Sequence, residues 1–208
     1  MQGLKLACLY SYGCTRAIAL NMNRKLAVFL KNKKPSQSEI NLIITEIMRL
    51  NSFKGYQAIA KTLNKEPFEK EIVIGYWLGS DNHNLERLNH NFITVTKLKT
   101  ILKSNCLVDE VINTMLGCAI SFGRIIELGL KRARICGSGF LYKDASIVFE
   151  EKQNKSIAID FLPKAKNGDL VSIHFGKARE KISQKQTEIL KQNSLRTLKI
   201  LNNQALVC

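Results

Sequence analysis

The hydrophobic period of this 208-residue chain changes at Gly117, and that change constrains the fold more than any other feature. Before it, apolar residues recur at helical spacing, most clearly after the capping box formed by Ser36 and Glu39. After it, five short segments alternate between apolar and polar residues and are separated by turn residues, which is typical of β-strands. These segments are 118–128, 134–141, 146–149, 156–161 and 170–175. We therefore predict an α+β fold, with a helical region over residues 1–115 and a small five-stranded β-barrel with a C-terminal helix over residues 116–208.

Two segments of the helical region have less obvious assignments. Residues 92–96 are rich in β-branched side chains and predict a strand, whereas residues 97–116 are ambiguous and include the spacing of a short helix. Tyr76 and Trp77 form either a ligand or partner surface or part of the core of an amphipathic helix. We favour the core, because a buried Trp contributes a large apolar area and needs only one hydrogen-bond acceptor.

The formal net charge of +15 indicates a polyanionic partner such as RNA. Lys outnumbers Arg by 23 to 9, although base and phosphate recognition usually favours Arg, so the charge is also consistent with solvated loops in a Lys-rich protein. An RNA-binding or ribosome-associated protein is therefore an alternative prediction. Its candidate contacts are Lys31, Lys33, Lys34, Lys131, Arg132 and Arg134.

Several protein classes find no support in the sequence. No stretch has the ~18–20 uncharged apolar residues of a membrane span, and we read no signal peptide, so we expect a cytoplasmic protein. The six cysteines form no C-x-x-C pair. A Gly-rich phosphate loop, a paired carboxylate motif and a Ser-His-Asp pattern are absent, which predicts a non-catalytic protein.

Cys118 and His174 are candidate metal ligands, because each lies on a predicted strand of the same small β unit. A thiolate and an imidazole suit iron, zinc or copper, and two ligands leave room for a partner's ligand. The competing interpretation is a buried thiol and a surface histidine on unrelated strands. His83 and His90, with Asp81 nearby, form either a second ligand set or a solvated loop, and we favour the loop.

The segment 168–178 reads Gly-Asp-Leu-Val-Ser-Ile-His-Phe-Gly-Lys-Ala. It resembles the Gly-Asp-x-Val-x-Val-His-x-Gly-x-Ala motif of the HypC/HupF family of hydrogenase-assembly chaperones. Cys118, Ile120 and Gly123 form a weaker match to that family's cysteine motif, with its proline missing and the cysteine internal. The resemblance implies a small barrel with a C-terminal helix. It also implies that Cys118 and His174 transiently hold iron between the chaperone and a scaffold or client protein.

The whole chain is similar to an uncharacterised prokaryotic family, found near hydrogenase genes, that joins a helical region to such a barrel. Its aromatic motif is kept at 67–69 and 75–80, whereas its histidine-rich motif keeps only His90 within 89–95. The family's N-terminal Cys-Gly-Pro motif has no clear match, unless Cys14 is its remnant. We therefore expect a divergent, non-catalytic accessory protein for metallocentre assembly.

Overall fold

The computed structural model describes residues 1–13, 21–102 and 108–203. The chain divides into two compact units, residues 1–77 and residues 78–208. The boundary predicted at 115/116 falls inside the second unit, where two α-helices precede the strands.

The first unit is helical. Its elements are α1 (Gln2–Ser11), α2 (Asn23–Lys31), α3 (Gln37–Met48), α4 (Asn51–Leu63) and α5 (Lys70–Leu78), the last of which ends at the first residue of the second unit. The predicted capping box begins α3, since the Glu39 N–H donates to Ser36 Oγ and the Ser36 N–H donates to Glu39 Oε2.

The core of the first unit is aromatic. Trp77 Nε1 donates a hydrogen bond to Tyr56 Oη at 2.7 Å, and the Trp77 ring stacks on Tyr10 with 5.1 Å between ring centroids. Tyr76 and Trp77 are both buried, so they pack in the core as predicted and present no surface. Burial of these large rings stabilises a unit that contains no sheet in its described part.

Two helices open the second unit, α6 (His90–Leu102) and α7 (Asp109–Leu116), after a 3₁₀ turn at His83–Leu85. The predicted strand at 92–96 is wrong, because these residues lie in α6. Asn89 Oδ1 accepts the Phe92 N–H at 2.9 Å and caps the helix, while Val95 and Leu98 pack together in an apolar cluster. Packing at helical spacing therefore outweighs the β preference of the branched side chains.

Five strands follow and form a closed ring in the order β1-β2-β3-β5-β4. They are β1 (Ser121–Leu128), β2 (Arg132–Lys143), β3 (Ser146–Ala158), β4 (Leu170–His174) and β5 (Lys177–Lys181). Neighbours pair antiparallel except β3 and β5, whose parallel contact is the pair Ala158–Lys177. The predicted fold class is confirmed: a helical N-terminal region, five strands and a C-terminal helix, α8 (Gln184–Asn203).

Two strand assignments need correction. Segments 146–149 and 156–161 do not form separate strands, because β3 runs through 146–158 with an irregularity near Lys152, whose φ is +59°. The fifth strand is Lys177–Lys181, which carries four charged residues and lacks the apolar alternation of a typical strand.

The interior of the ring is apolar and is filled by residues from all five strands and the loop after β3. The cluster comprises Ile125, Ala133, Ile135, Ile157, Leu162, Val171, Ile173 and Ala178. A second cluster joins α6, α7 and α8 to Phe140 of β2, so the helices cover one side of the ring. Among the described helices, none combines the length and the apolar character needed to cross a bilayer.

Candidate metal centre

His174 is the last residue of β4 and is fully buried. The tight turn that follows uses Phe175 and Gly176, both with positive φ, and reverses the chain into β5. Arg179, itself 1% exposed, donates from Nη2 to the His174 carbonyl at 3.0 Å. Strand β5 therefore holds the backbone that carries this imidazole.

Cys118 lies in the turn that joins α7 to β1, and not in a strand as the sequence predicted. Its N–H donates to the Met115 carbonyl at 3.0 Å, so the helical turn continues to the cysteine. The preceding residue, Gly117, accepts the Phe175 N–H at 2.8 Å, which ties this turn to the end of β4. The thiol is partly exposed, unlike the His174 imidazole.

His90 is the first residue of α6 and completes the group. Its side chain is buried, and its Nε2 lies 2.9 Å from the Cys118 carbonyl oxygen and 3.5 Å from Cys118 Sγ. His83 is exposed on the 3₁₀ turn, and Asp81 is exposed and pairs with Lys185. The sequence hypothesis of a solvated loop therefore fits His83 and is wrong for His90, which lies at a capped helix start.

The ligand atoms of His90, Cys118 and His174 all lie within 4.8 Å of one another. In a tetrahedral site, the bonds are ~2.0–2.1 Å to nitrogen and ~2.3 Å to sulfur, so a nitrogen ligand and a sulfur ligand of the same metal lie about 3.6 Å apart. The 3.5 Å between His90 Nε2 and Cys118 Sγ is close to this value. The two imidazole rings are nearly perpendicular, with 5.5 Å between their centroids. The ligand atoms of these three side chains lie up to 4.8 Å apart and can hold one metal ion if they move about 1 Å closer together.

Burial keeps the His90 imidazole neutral. Burial, together with the nearby charge of Lys97 and against the hydrogen bond with the Cys118 carbonyl, lowers the pKa of His90 to about 4. A neutral imidazole has a lone pair available for a metal at neutral pH. Because a carbonyl oxygen can only accept, the 2.9 Å contact requires the proton on Nε2. Coordination through Nδ1 keeps this hydrogen bond, and coordination through Nε2 replaces it.

The other described cysteines have different surroundings. Cys8 is buried in α1, where burial raises its pKa to about 12. Cys136 is partly exposed on β2. Cys14, Cys106 and Cys208 lie outside the described residues.

The six basic residues predicted to contact RNA are all exposed. Lys31, Lys33 and Lys34 lie at the end of α2 and in the loop after it, in the first unit. The other three, Lys131, Arg132 and Arg134, lie in the β1–β2 turn and on β2, in the second unit.

A surface groove of about 320 Å³ lies beside this part of β2. Arg132 donates from Nε to Ser156 Oγ at 2.9 Å, and Arg134 forms an ion pair with Glu127 at 3.0 Å. Lys155 also lines the groove, and its partial burial lowers its pKa. The lining carries three basic side chains and one acidic one, so its charge suits an anion.

Comparison with curated proteins and with solved structures gives no match. A model of a family of unknown function, DUF6390, matches residues 86–207. The matched segment contains α6, the ring and α8, together with His90, Cys118 and His174. Because the match covers more than half of the chain, the protein belongs to the DUF6390 family of unknown function.

Proposed function

We propose that the protein is a non-catalytic accessory protein that holds a transition-metal ion through His90, Cys118 and His174 and shares it transiently with a partner protein. The observation that carries the proposal is the convergence of three ligand atoms from α6, the α7–β1 turn and β4 within 4.8 Å. Cys118 and His174 were the ligands predicted from the sequence, and His90 adds a third.

Three protein ligands leave one position of a tetrahedral site open, whereas structural zinc sites normally use four. The partly exposed side of the group is Cys118, and both histidines are buried. A ligand from a partner therefore approaches beside the thiolate. The resemblance to HypC/HupF chaperones supports the accessory role, a scaffold or client protein as partner, and iron as the metal. Two imidazoles and one thiolate suit iron and also zinc or copper.

The metal is tested by anaerobic titration with Fe(II), and with Co(II) as a spectroscopic probe of thiolate coordination. The wild-type protein is expected to bind one ion. His90→Ala, Cys118→Ser and His174→Ala are each expected to weaken binding by more than about 100-fold, which is more than the loss of a residue that only orients a metal ligand. His83→Ala is the matched control, because His83 is an exposed histidine of the same unit. Binding that survives all three ligand variants would contradict the proposed site.

The accessory role requires a separate experiment. Protein loaded with ⁵⁷Fe is mixed with a partner copurified from native cells, and the metal content of the separated partner is measured. We expect transfer that depends on Cys118. A loaded protein that keeps its iron in the presence of every copurified partner would point to a structural metal instead.

RNA binding remains a second candidate, favoured by the groove beside Arg132, Arg134 and Lys155. If the groove binds RNA, affinity falls steeply with salt, and Arg132→Gln with Arg134→Gln lowers the salt slope by roughly 0.7 for each lost phosphate contact. Cys118→Ser should leave this binding unchanged. Affinity that is insensitive to salt and to both arginine substitutions would eliminate the candidate.

A further inference from the structure

One buried amide side chain holds the segment that carries the thiol. Asn91 Nδ2 donates to the Ile120 carbonyl at 2.9 Å, and the Ile120 N–H donates to Asn91 Oδ1 at 2.6 Å. The side chain thus pairs with both backbone groups of one residue, as a neighbouring strand would. Asn91 is 1% exposed, so solvent cannot replace these bonds.

Asn91 is itself held from the other side. Its Nδ2 also donates to Ser194 Oγ at 3.1 Å, and the Ser194 hydroxyl donates to the Leu190 carbonyl at 2.8 Å. Ser194 is fully buried in α8. The amide of Asn91, which belongs to α6, is therefore held in a fixed orientation by α8.

The position of this amide in the chain relates it to the metal ligands. Asn91 follows His90 directly, and Ile120 lies two residues after Cys118. Residues 117–120 precede β1 and lie outside its strand pairing, so this segment is tied at Gly117 through the Phe175 N–H and at Ile120 through the Asn91 amide. A metal site needs its ligands within about 0.5 Å of the productive geometry, so an irregular segment that carries a ligand has to be held by other contacts.

We infer that Asn91 is a positioning residue of the metal centre, which sets the distance from Cys118 to His90 before the metal binds. The inference rests on the proposed metal site. In this role Asn91 does not touch the ion, and it acts through the backbone of Ile120.

The same unit contains a matched control. Asn113 of α7 makes the same pair of bonds with Tyr142 of β2: its Oδ1 accepts the Tyr142 N–H at 2.9 Å, and its Nδ2 donates to the Tyr142 carbonyl at 3.4 Å. Tyr142 lies far along the sequence from each of the three metal ligands. Asn113→Ala therefore removes a similar clamp, whose side-chain bonds go to Tyr142 and not to residues 117–120.

The experiment compares Co(II) affinity and the sulfur-to-cobalt charge-transfer band of the full-length wild type, Asn91→Ala and Asn113→Ala, with circular dichroism as the check on folding. Asn91→Ala is expected to weaken Co(II) binding by about 10- to 100-fold and to shift the band, the size of effect found for residues that orient metal ligands. Asn113→Ala should bind Co(II) like the wild type.

If Asn91→Ala does not fold, Ser194→Ala provides the test, because it removes the bond that orients the amide and, besides that, the bond from Ser194 to the Leu190 carbonyl within α8. It should weaken Co(II) binding in the same direction and to a smaller extent. Equal affinity in the wild type and in the Asn91 or Ser194 variants would overturn the positioning role and leave the metal site intact. A wild type that binds no metal would overturn both.

Discussion

Cys8 in the first unit and Cys118 in the second show how surroundings decide what a thiol can do. Cys8 is fully buried on α1, and burial raises its pKa to about 12. Cys118 is partly exposed in a turn, with His90 Nε2 3.5 Å from its sulfur. Deprotonating Cys8 costs roughly 4 kcal/mol more than for an ordinary thiol, at 1.36 kcal/mol per pKa unit. Cys8 is therefore a packing residue, whereas Cys118 is available as a ligand.

The largest contrast should appear in chemical reactivity. In the native, metal-free protein, iodoacetamide should modify Cys118 more than about 1000-fold faster than Cys8, because exposing Cys8 requires an unfolding step of about 5 kcal/mol or more. Mass spectrometry of proteolytic peptides assigns each modified cysteine separately. Bound Zn(II) should protect Cys118 and leave Cys8 unaffected. Similar rates for the two thiols would remove the distinction between them.

Substitutions at Cys8 and at Cys118 should also differ in how bound metal changes the stability of the protein, and this difference should be smaller than the difference in reactivity. Free Co(II) at 100 times its Kd stabilises a folded protein by about 2.7 kcal/mol, which raises Tm by roughly 8 °C at about 3 °C per kcal/mol. Differential scanning calorimetry should show this rise for the wild type and for Cys8→Ala, and none for Cys118→Ala. Cys8→Ala should also lower the metal-free Tm, since it leaves a cavity. A metal-induced rise in Cys118→Ala would mean that another group binds the ion.

The smallest effect concerns the core of the first unit. Tyr56→Phe removes the acceptor of the Trp77 Nε1 hydrogen bond and should lower the free energy of unfolding by about 1–2 kcal/mol. Fluorescence of Trp77, the single tryptophan of the chain, follows this unit during urea unfolding. Co(II) affinity should not change. A lower Co(II) affinity in Tyr56→Phe would mean that the first unit affects the metal site, and it would contradict the division of roles between the two units.

The fold class was predictable because it depends on local patterns. The change of hydrophobic period at Gly117 predicted the sheet, and the capping box at Ser36 predicted the start of a helix. The same reasoning failed for β5, which consists mostly of charged residues and forms because the turn at Phe175 and Gly176 returns the chain beside β4. It failed at 92–96 because packing against α7 and α8 decided the helix.

The site was predictable only in part, for a related reason. The sequence marked His174, which stands in a recognisable strand pattern, and Cys118, which stands where the period changes. It gave no spacing that would bring His90 to Cys118, since the contact joins residues 28 apart through a helix start. The signal that was available was Asn89, an N-cap that predicts a helix beginning at His90.

X-ray absorption spectroscopy of the zinc-loaded, full-length protein tests the central claim most directly. We expect one sulfur at ~2.3 Å, two imidazole nitrogens at ~2.0–2.1 Å and one further light atom around each zinc ion. A shell without sulfur, or one with two or more sulfur atoms, would contradict the His90–Cys118–His174 centre.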